Sequence, residues 1–340
     1  KKALIVSPYL DHLGGGERYM LSVASVLESL GHDIYFAWDN LEEIYTLSNM
    51  LGIHLNNSHL DPSIKKLYIG HRPLAMFLAT RPYNVVVYLS DGSIPLLGGK
   101  HNLLHMQVPF HGVGGKSWQN QLKKRLISTV LVNSHFTKQI IDTEFGLNST
   151  ILYPPVTPIK SSPKEKLILS VGRFEPSLNT KHQDVLIEAW RALSSQLPGW
   201  KLILAGATSS EDWVNHLRKL AEGLPIEFII NAGYDELCKL YAVSQIYWHA
   251  AGYQVDETKN PELTEHFGIS TVEAISAGCV PLVVPVGGQK EIVQDPALHW
   301  ATIEELITKT IWLSQNPQTI QLDISSYSVE NFTEQLKNIL

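Results

Sequence analysis

Cysteine is nearly missing: Cys238 and Cys279 are the two that the 340 residues contain. Two thiols cannot build the dense disulfide framework of a small secreted domain, and both sit beside apolar neighbours, so they read as buried and reduced. No apolar run approaches the ~20 residues that a bilayer-spanning helix needs. The opening Ala3-Leu4-Ile5-Val6 passes at once into Ser7-Pro8 and a glycine-rich loop, so it reads as a first strand and not as a signal sequence; a cytoplasmic protein is the expectation. The 14 histidines include no H-E-x-x-H or cysteine–histidine spacing of the kind that holds zinc. A basic domain is also missing. Residues 1–155 carry 13 Lys+Arg against 11 Asp+Glu, a net +2, and residues 156–340 carry 14 against 22, a net −8. Neither half has the footprint of a nucleic-acid binder, and the negative half must attract its ligands locally and not by its overall field.

What is present is an ordinary globular composition, 44% apolar and 18% charged, in a chain long enough for about two domains of ~150 residues. Short β-branched runs alternate with longer amphipathic stretches, a pattern of parallel sheets covered by helices. In the first half the predicted strands are Ala3 to Ser7, Asp33 to Ala37, Val85 to Leu89, Asn102 to Met106, Thr129 to Val132 and Thr150 to Leu152, with helices such as Glu17 to Leu30 and Phe136 to Phe145 between them. Prolines, serines and lysines then interrupt the pattern from Tyr153-Pro154-Pro155 to Pro163, which reads as a linker. The alternation restarts with Lys166 to Val171, Lys201 to Ala205, Ile226 to Ile230, Gln245 to His249 and Val280 to Val284. The expected organisation is an N-terminal domain over 1–156, a linker over 157–163 and a second domain over 164–326. In doubly wound sheets ligands bind beyond the carboxyl ends of the strands, so the loops after strands are the places to search.

The first such loop is Leu13-Gly14-Gly15-Gly16-Glu17-Arg18. Its glycines permit close backbone approach and the helix start that follows favours an anion; a plain strand-to-helix turn is the alternative. It lacks the G-x-G-x-x-G of a nicotinamide site. The most informative segment runs from Glu265-His266-Phe267-Gly268-Ile269 through Glu273 to a glycine stop at Gly278 and a buried strand. It predicts a helix from about Phe267 to Ala277, with Glu265 before it and Glu273 two turns inside. Gly268 leaves unhindered N–H groups at the positive end of the helix dipole. A sugar diphosphate needs these together: a carboxylate for sugar hydroxyls, an anion site for phosphate and a second carboxylate for the ribose diol. A solvent-facing helical residue is the alternative for Glu273.

These residues resemble the retaining glycosyltransferases of family 4, whose signature is two glutamates separated by seven residues, here Glu265 and Glu273. The likeness extends over most of the chain, from Gly14-Gly15-Gly16 through His105, Asn133-Ser134-His135-Phe136-Thr137 and Tyr153-Pro154-Pro155-Val156 to Gly172-Arg173 and Gly287-Gly288. It implies the α/β GT-B fold, two Rossmann-like doubly wound domains facing across a cleft, the first for the acceptor and the second for the nucleotide-sugar donor. Glu265 would then hold hydroxyls of the donor sugar and Glu273 its ribose. Phe267 and the backbone of Gly268 and Ile269 would lie near the phosphates, Arg173 and Lys181 on the diphosphate, His105 near the reacting bond, and Gly15 and Gly16 over the diphosphate. One departure from the family pattern is the longer loop Phe174 to Thr180 before Lys181, with His182 where the family has glycine. For His105 a satisfied core histidine is the alternative.

The resemblance further implies retaining transfer by front-face attack, with no side-chain nucleophile, unlike the paired carboxylates of retaining glycosidases. No Asp-x-Asp is present to hold a metal on the diphosphate, so Arg173, Lys181 and the helix start are expected to neutralise the leaving group without metal or cofactor. The partners implied are a nucleotide sugar, GDP-mannose or a UDP-sugar, and a saccharide or lipid-linked acceptor. A nucleotide-sugar 2-epimerase and an inactive nucleotide-sugar-binding subunit are the competing readings. Lys123-Lys124-Arg125 is either a solvated helix face or a transient contact with anionic lipid on the inner membrane face. Finally, Val329, Phe332, Leu336, Ile339 and Leu340 form one stripe of an amphipathic helix within 327–340, which by the resemblance packs back on the first domain.

Overall fold

The computed structural model of the chain describes residues 1–10, 14–176, 181–208, 210–317 and 323–340. Contacts divide it into two compact units, Lys1–Pro155 with Val329–Leu340, and Val156–Ser328.

The first unit is built on a seven-stranded parallel sheet: β1 Lys2–Val6, β2 Asp33–Phe36, β3 Ser58–Leu60, β4 Val85–Leu89, β5 His101–Met106, β6 Thr129–Val132 and β7 Thr150–Ile151, in the order β3-β2-β1-β4-β5-β6-β7. All five residues of β4 are buried, the near-continuous apolar run of a parallel strand covered on both faces. The edge strand β3 was not foreseen, because three residues beginning Ser-His carry too little β-branched signal. Over one face lie the helices Gly15–Ser29 and Leu41–Met50, together with the C-terminal helix Val329–Ile339. Phe332 and Leu336 of that last helix are buried in the same core as Tyr19 and Leu27, and the Phe332 ring meets Tyr19 edge-on at 5.7 Å. The helix His135–Phe145 has conventional ends: Ser134 accepts from the Thr137 amide at 3.0 Å, and Gly146 closes it at φ 60°.

The second unit holds β8 Glu165–Val171, β9 Lys201–Gly206, β10 Ile226–Ile230, β11 Ser244–His249 and β12 Val280–Val283, all parallel, in the order β10-β9-β8-β11-β12. The chain winds outwards from β8 to β10, then returns to the other side of β8 as β11. The sheet therefore reverses its winding between β8 and β11, and the carboxyl ends of those two strands flank the crevice where such sheets bind ligands.

Candidate functional site

Arg173 and Lys181 follow β8 and His249 ends β11, so the switch point gathers polar side chains from loops that are far apart in sequence. Arg173 is exposed, while Lys181 and Glu265 are largely covered. Residues 177–180 of the expected phosphate loop lie outside the described residues, as does Leu13 of the glycine loop.

Glu265 is the centre of the cluster. Lys181 Nζ donates to its Oε2 at 2.6 Å, and the His249 ring nitrogen Nε2 reaches the same oxygen at 2.9 Å. Burial pushes the Glu265 carboxyl up, but the Lys181 charge and the His249 hydrogen bond outweigh it and hold the group ionised, well below the ordinary carboxylate range. His249 is pushed down from its ordinary value, first by burial, against the opposing pull of Glu265. The ring is therefore neutral near pH 7, and because a carboxylate can only accept, Nε2 carries the proton. Beside it, the fully buried Gln289 places its amide nitrogen 3.0 Å from Thr271 Oγ1 and almost equally far from the two His249 ring nitrogens, 3.4 Å from Nε2 and 3.5 Å from Nδ1. Both donors to Glu265 converge on one oxygen, which leaves Oε1 for a ligand hydroxyl.

The expected helix begins later than the sequence pattern indicates, at Ile269, and ends at Ser276. The reason is Gly268, whose φ of 117° is open to glycine but strained for an L side chain. A Cβ there would also stand 2.6 Å from the Gln289 amide. Gly268 offers no side-chain cap, so the first N–H groups of the helix keep their capacity for an anion. Phe267, expected near the donor, is buried, with its ring edge-on to Tyr327 at 5.3 Å. Glu273 is buried, not the solvent-facing residue of the alternative reading. Gly287 and Gly288 pack beneath the Glu265 segment, where the Gly288 amide donates to Glu265 O at 2.7 Å. Added Cβ atoms would meet Glu265 O at 2.3 Å and His266 O at 2.5 Å. At the other end of the helix, Lys164 Nζ donates to Ala277 O at 2.6 Å and Ala242 O at 3.0 Å, a cation on two helix carboxyl ends. The site helix is thus fastened at both termini.

In the first unit, Gly15 opens the helix after β1 and Gly16 is buried against the Gln107 side chain. His105, expected near the reacting bond, is fully buried near the end of β5. Its ring is stacked on Tyr19 at 3.8 Å with planes 5° apart, and burial pushes its pKa down to about 3. The residues that pattern reading missed are His249, Gln289 and Thr271. The signal that could have found His249 is its place as the last residue of a strand beside the switch point.

Residues 157–319 match the family described as Glycosyl transferases group 1. The GDP-Man:Man(3)GlcNAc(2)-PP-Dol alpha-1,2-mannosyltransferase of Dictyostelium discoideum is 29% identical over 204 residues, covering 52% of this chain and 38% of that protein. The chain therefore spans well under half the length of that relative. The alpha-1,3/1,6-mannosyltransferase ALG2 of Kluyveromyces lactis is 28% identical over 371 residues, covering 87% of this chain and 71% of that protein. Among solved structures, a glycosyltransferase from Rickettsia africae superposes with a TM-score of 0.64 at 16% identity, over 99% of this chain and 93% of its own. Residues 157–319 thus match the glycosyl transferases group 1 family, and the two doubly wound units have the GT-B fold of the solved glycosyltransferases.

Proposed function

We propose that this chain transfers mannose from GDP-mannose to a saccharide carried on a lipid, with retention at the anomeric carbon and without metal. The observation that carries this reading is Glu265, ionised and gripped through Oε2 by Lys181 and His249, at the entrance of a helix that begins at an uncapped glycine. The names of the Dictyostelium and Kluyveromyces relatives supply the sugar, and the former the donor and the lipid-linked acceptor class.

In this reading Glu265 Oε1 accepts from donor-sugar hydroxyls and Glu273 serves the ribose. The diphosphate lies against the N–H groups of Gly268 and Ile269, with Arg173 and Lys181 as its cations. Lys181 has three N–H donors, so it can share a phosphate oxygen with Glu265. As the C1–O bond lengthens, charge develops on the leaving diphosphate, where fixed donors count most. The departing oxygen takes the proton of the acceptor hydroxyl entering on the same face. His105 enters only through its packing on Tyr19, and the first unit with Gly15 and Gly16 serves the acceptor side.

No helix among the described residues is long and apolar enough to cross a membrane. Contact with a lipid-linked acceptor is instead assigned to the helix Trp118–Lys123 and the turn after it, where Trp118 and Leu122 are 71% and 53% exposed beside Lys123 and Arg125. Three basic residues contribute only ~1 kcal/mol each near an anionic surface, and the exposed apolar side chains add burial to that attraction.

The test is incubation with radiolabelled GDP-mannose and pyrophosphoryl lipid carrying a short mannose-containing glycan. The expected result is labelled lipid with an α linkage, formed equally with and without EDTA. Activity lost in EDTA and restored by Mn²⁺ would overturn metal independence, and transfer from UDP-glucose alone would overturn the donor.

A further inference from the structure

We propose that His249 is a positioning residue of the transfer reaction: through Nε2–H it fixes one oxygen of the Glu265 carboxylate, so that the other is presented to the donor sugar. The proposal rests on the reading of Glu265 as the sugar-contacting carboxylate and adds a residue that no sequence motif of the chain singles out.

Three geometric facts support it. His249 Nε2 lies 2.9 Å from Glu265 Oε2, the oxygen that Lys181 also takes at 2.6 Å. A carboxylate held by one donor can swing about its side-chain torsions; two donors from different elements, the β11 end and the loop after β8, pin Oε2 from two directions and narrow that swing. The ring itself is held. His249 is nearly fully buried, its ring lies 6.3 Å from that of Tyr247, and the Gln289 amide nitrogen sits 3.5 Å from Nδ1 and 3.0 Å from Thr271 Oγ1. The Gln289 nitrogen stands almost equally far from Nε2, at 3.4 Å, and so packs on the ring as a whole, while the carboxylate acceptor at Nε2 sets the tautomer. Finally, Gly268 leaves the space in which Gln289 stands, which couples the ring's support to the turn that opens the helix.

Titratable groups around the pair are Lys181 from the loop after β8, Tyr247 on β11, and Glu262, His266 and Glu273 from the segment around Glu265. With Lys181 still present, loss of the His249 hydrogen bond removes one of the effects that keep Glu265 ionised in acid.

The experiment compares wild type with His249→Leu, His249→Gln and His249→Asn, using GDP-mannose with the lipid-linked acceptor, and GDP alone for binding. Gln places an amide where Nε2 stands, while Asn places it near Nδ1. His249→Leu is expected to lower kcat about 10²-fold, the scale of a small misplacement in a reacting geometry, with GDP affinity unchanged. The acid limb of its pH–rate profile should move to higher pH. His249→Gln should recover most of the rate and His249→Asn should not, a contrast that survives if the Leu variant fails to fold. Equal rates for the Gln and Asn variants, or an unmoved acid limb in a folded Leu variant, overturn the proposal. Glu265→Gln assayed alongside separates the two levels. If it transfers normally, the parent reading of Glu265 fails; if it is inactive while the His249 variants behave like wild type, only the positioning role fails.

Discussion

His105 and His249 stand at the carboxyl ends of central strands, β5 in the first unit and β11 in the second, and both are buried. Burial pushes both pKa values down. What separates them is the neighbour: His105 lies flat on the Tyr19 ring, whereas His249 points a ring nitrogen at an ionised carboxylate. A buried neutral histidine against an aromatic ring acts as a flat core side chain. The same group against a carboxylate becomes a directional donor. Two histidines alike in burial and in strand position thus differ in one contact each.

The strongest way to break this comparison is to remove the carboxylate. Glu265→Ala is expected to lower kcat by about 10²–10³, the usual loss for one charge-positioning group, while GDP binding remains close to wild type. A parallel loss of GDP affinity in calorimetry would show that Glu265 serves the nucleotide and not the sugar. Glu273→Ala should do the reverse. Losing a hydrogen-bonded charged group contributes ~1.5–3 kcal/mol, so GDP affinity should fall about tenfold to a hundredfold, with kcat at saturating donor changed less. Equal effects of both substitutions on GDP affinity would erase the division between the two glutamates.

His105 sharpens the comparison through stability. Its pKa is about 3 in the folded chain and ~6.5 in the unfolded chain. Between those values the unfolded state binds more protons, so stability is lost as pH falls through that window, by up to ~1.4 kcal/mol per pH unit. His105→Phe keeps the ring stack and removes the nitrogens. Urea unfolding at pH 7 and pH 5 should show a smaller acid loss in the variant than in wild type, with transfer retained. An unchanged acid loss, or a variant folded but inactive, would return His105 to the reacting bond.

The two glutamates were legible because a helix start leaves a local signature: a polar segment, a glycine, then an apolar period. Helix entry was misplaced by two residues, since only the φ of Gly268 reveals where the chain becomes helical. Lys181 was harder to place, because the loop before it is longer than the family pattern. Gln289 left no trace and His249 only its place at the end of a strand: they lie 24 and 16 positions from Glu265 on opposite sides.

By itself the sequence determined the alternation of strands and helices, the break near Pro155, and the spacing of Glu265 and Glu273, because these are periodic or local properties of the chain. Only the tertiary structure decided that Lys181, 84 residues before Glu265, shares its oxygen with His249, and that His105 turns inward onto Tyr19. The physical reason is the parallel sheet. Its winding brings the ends of β8 and β11 side by side at the switch point, and such adjacency depends on strand order, which no single strand encodes.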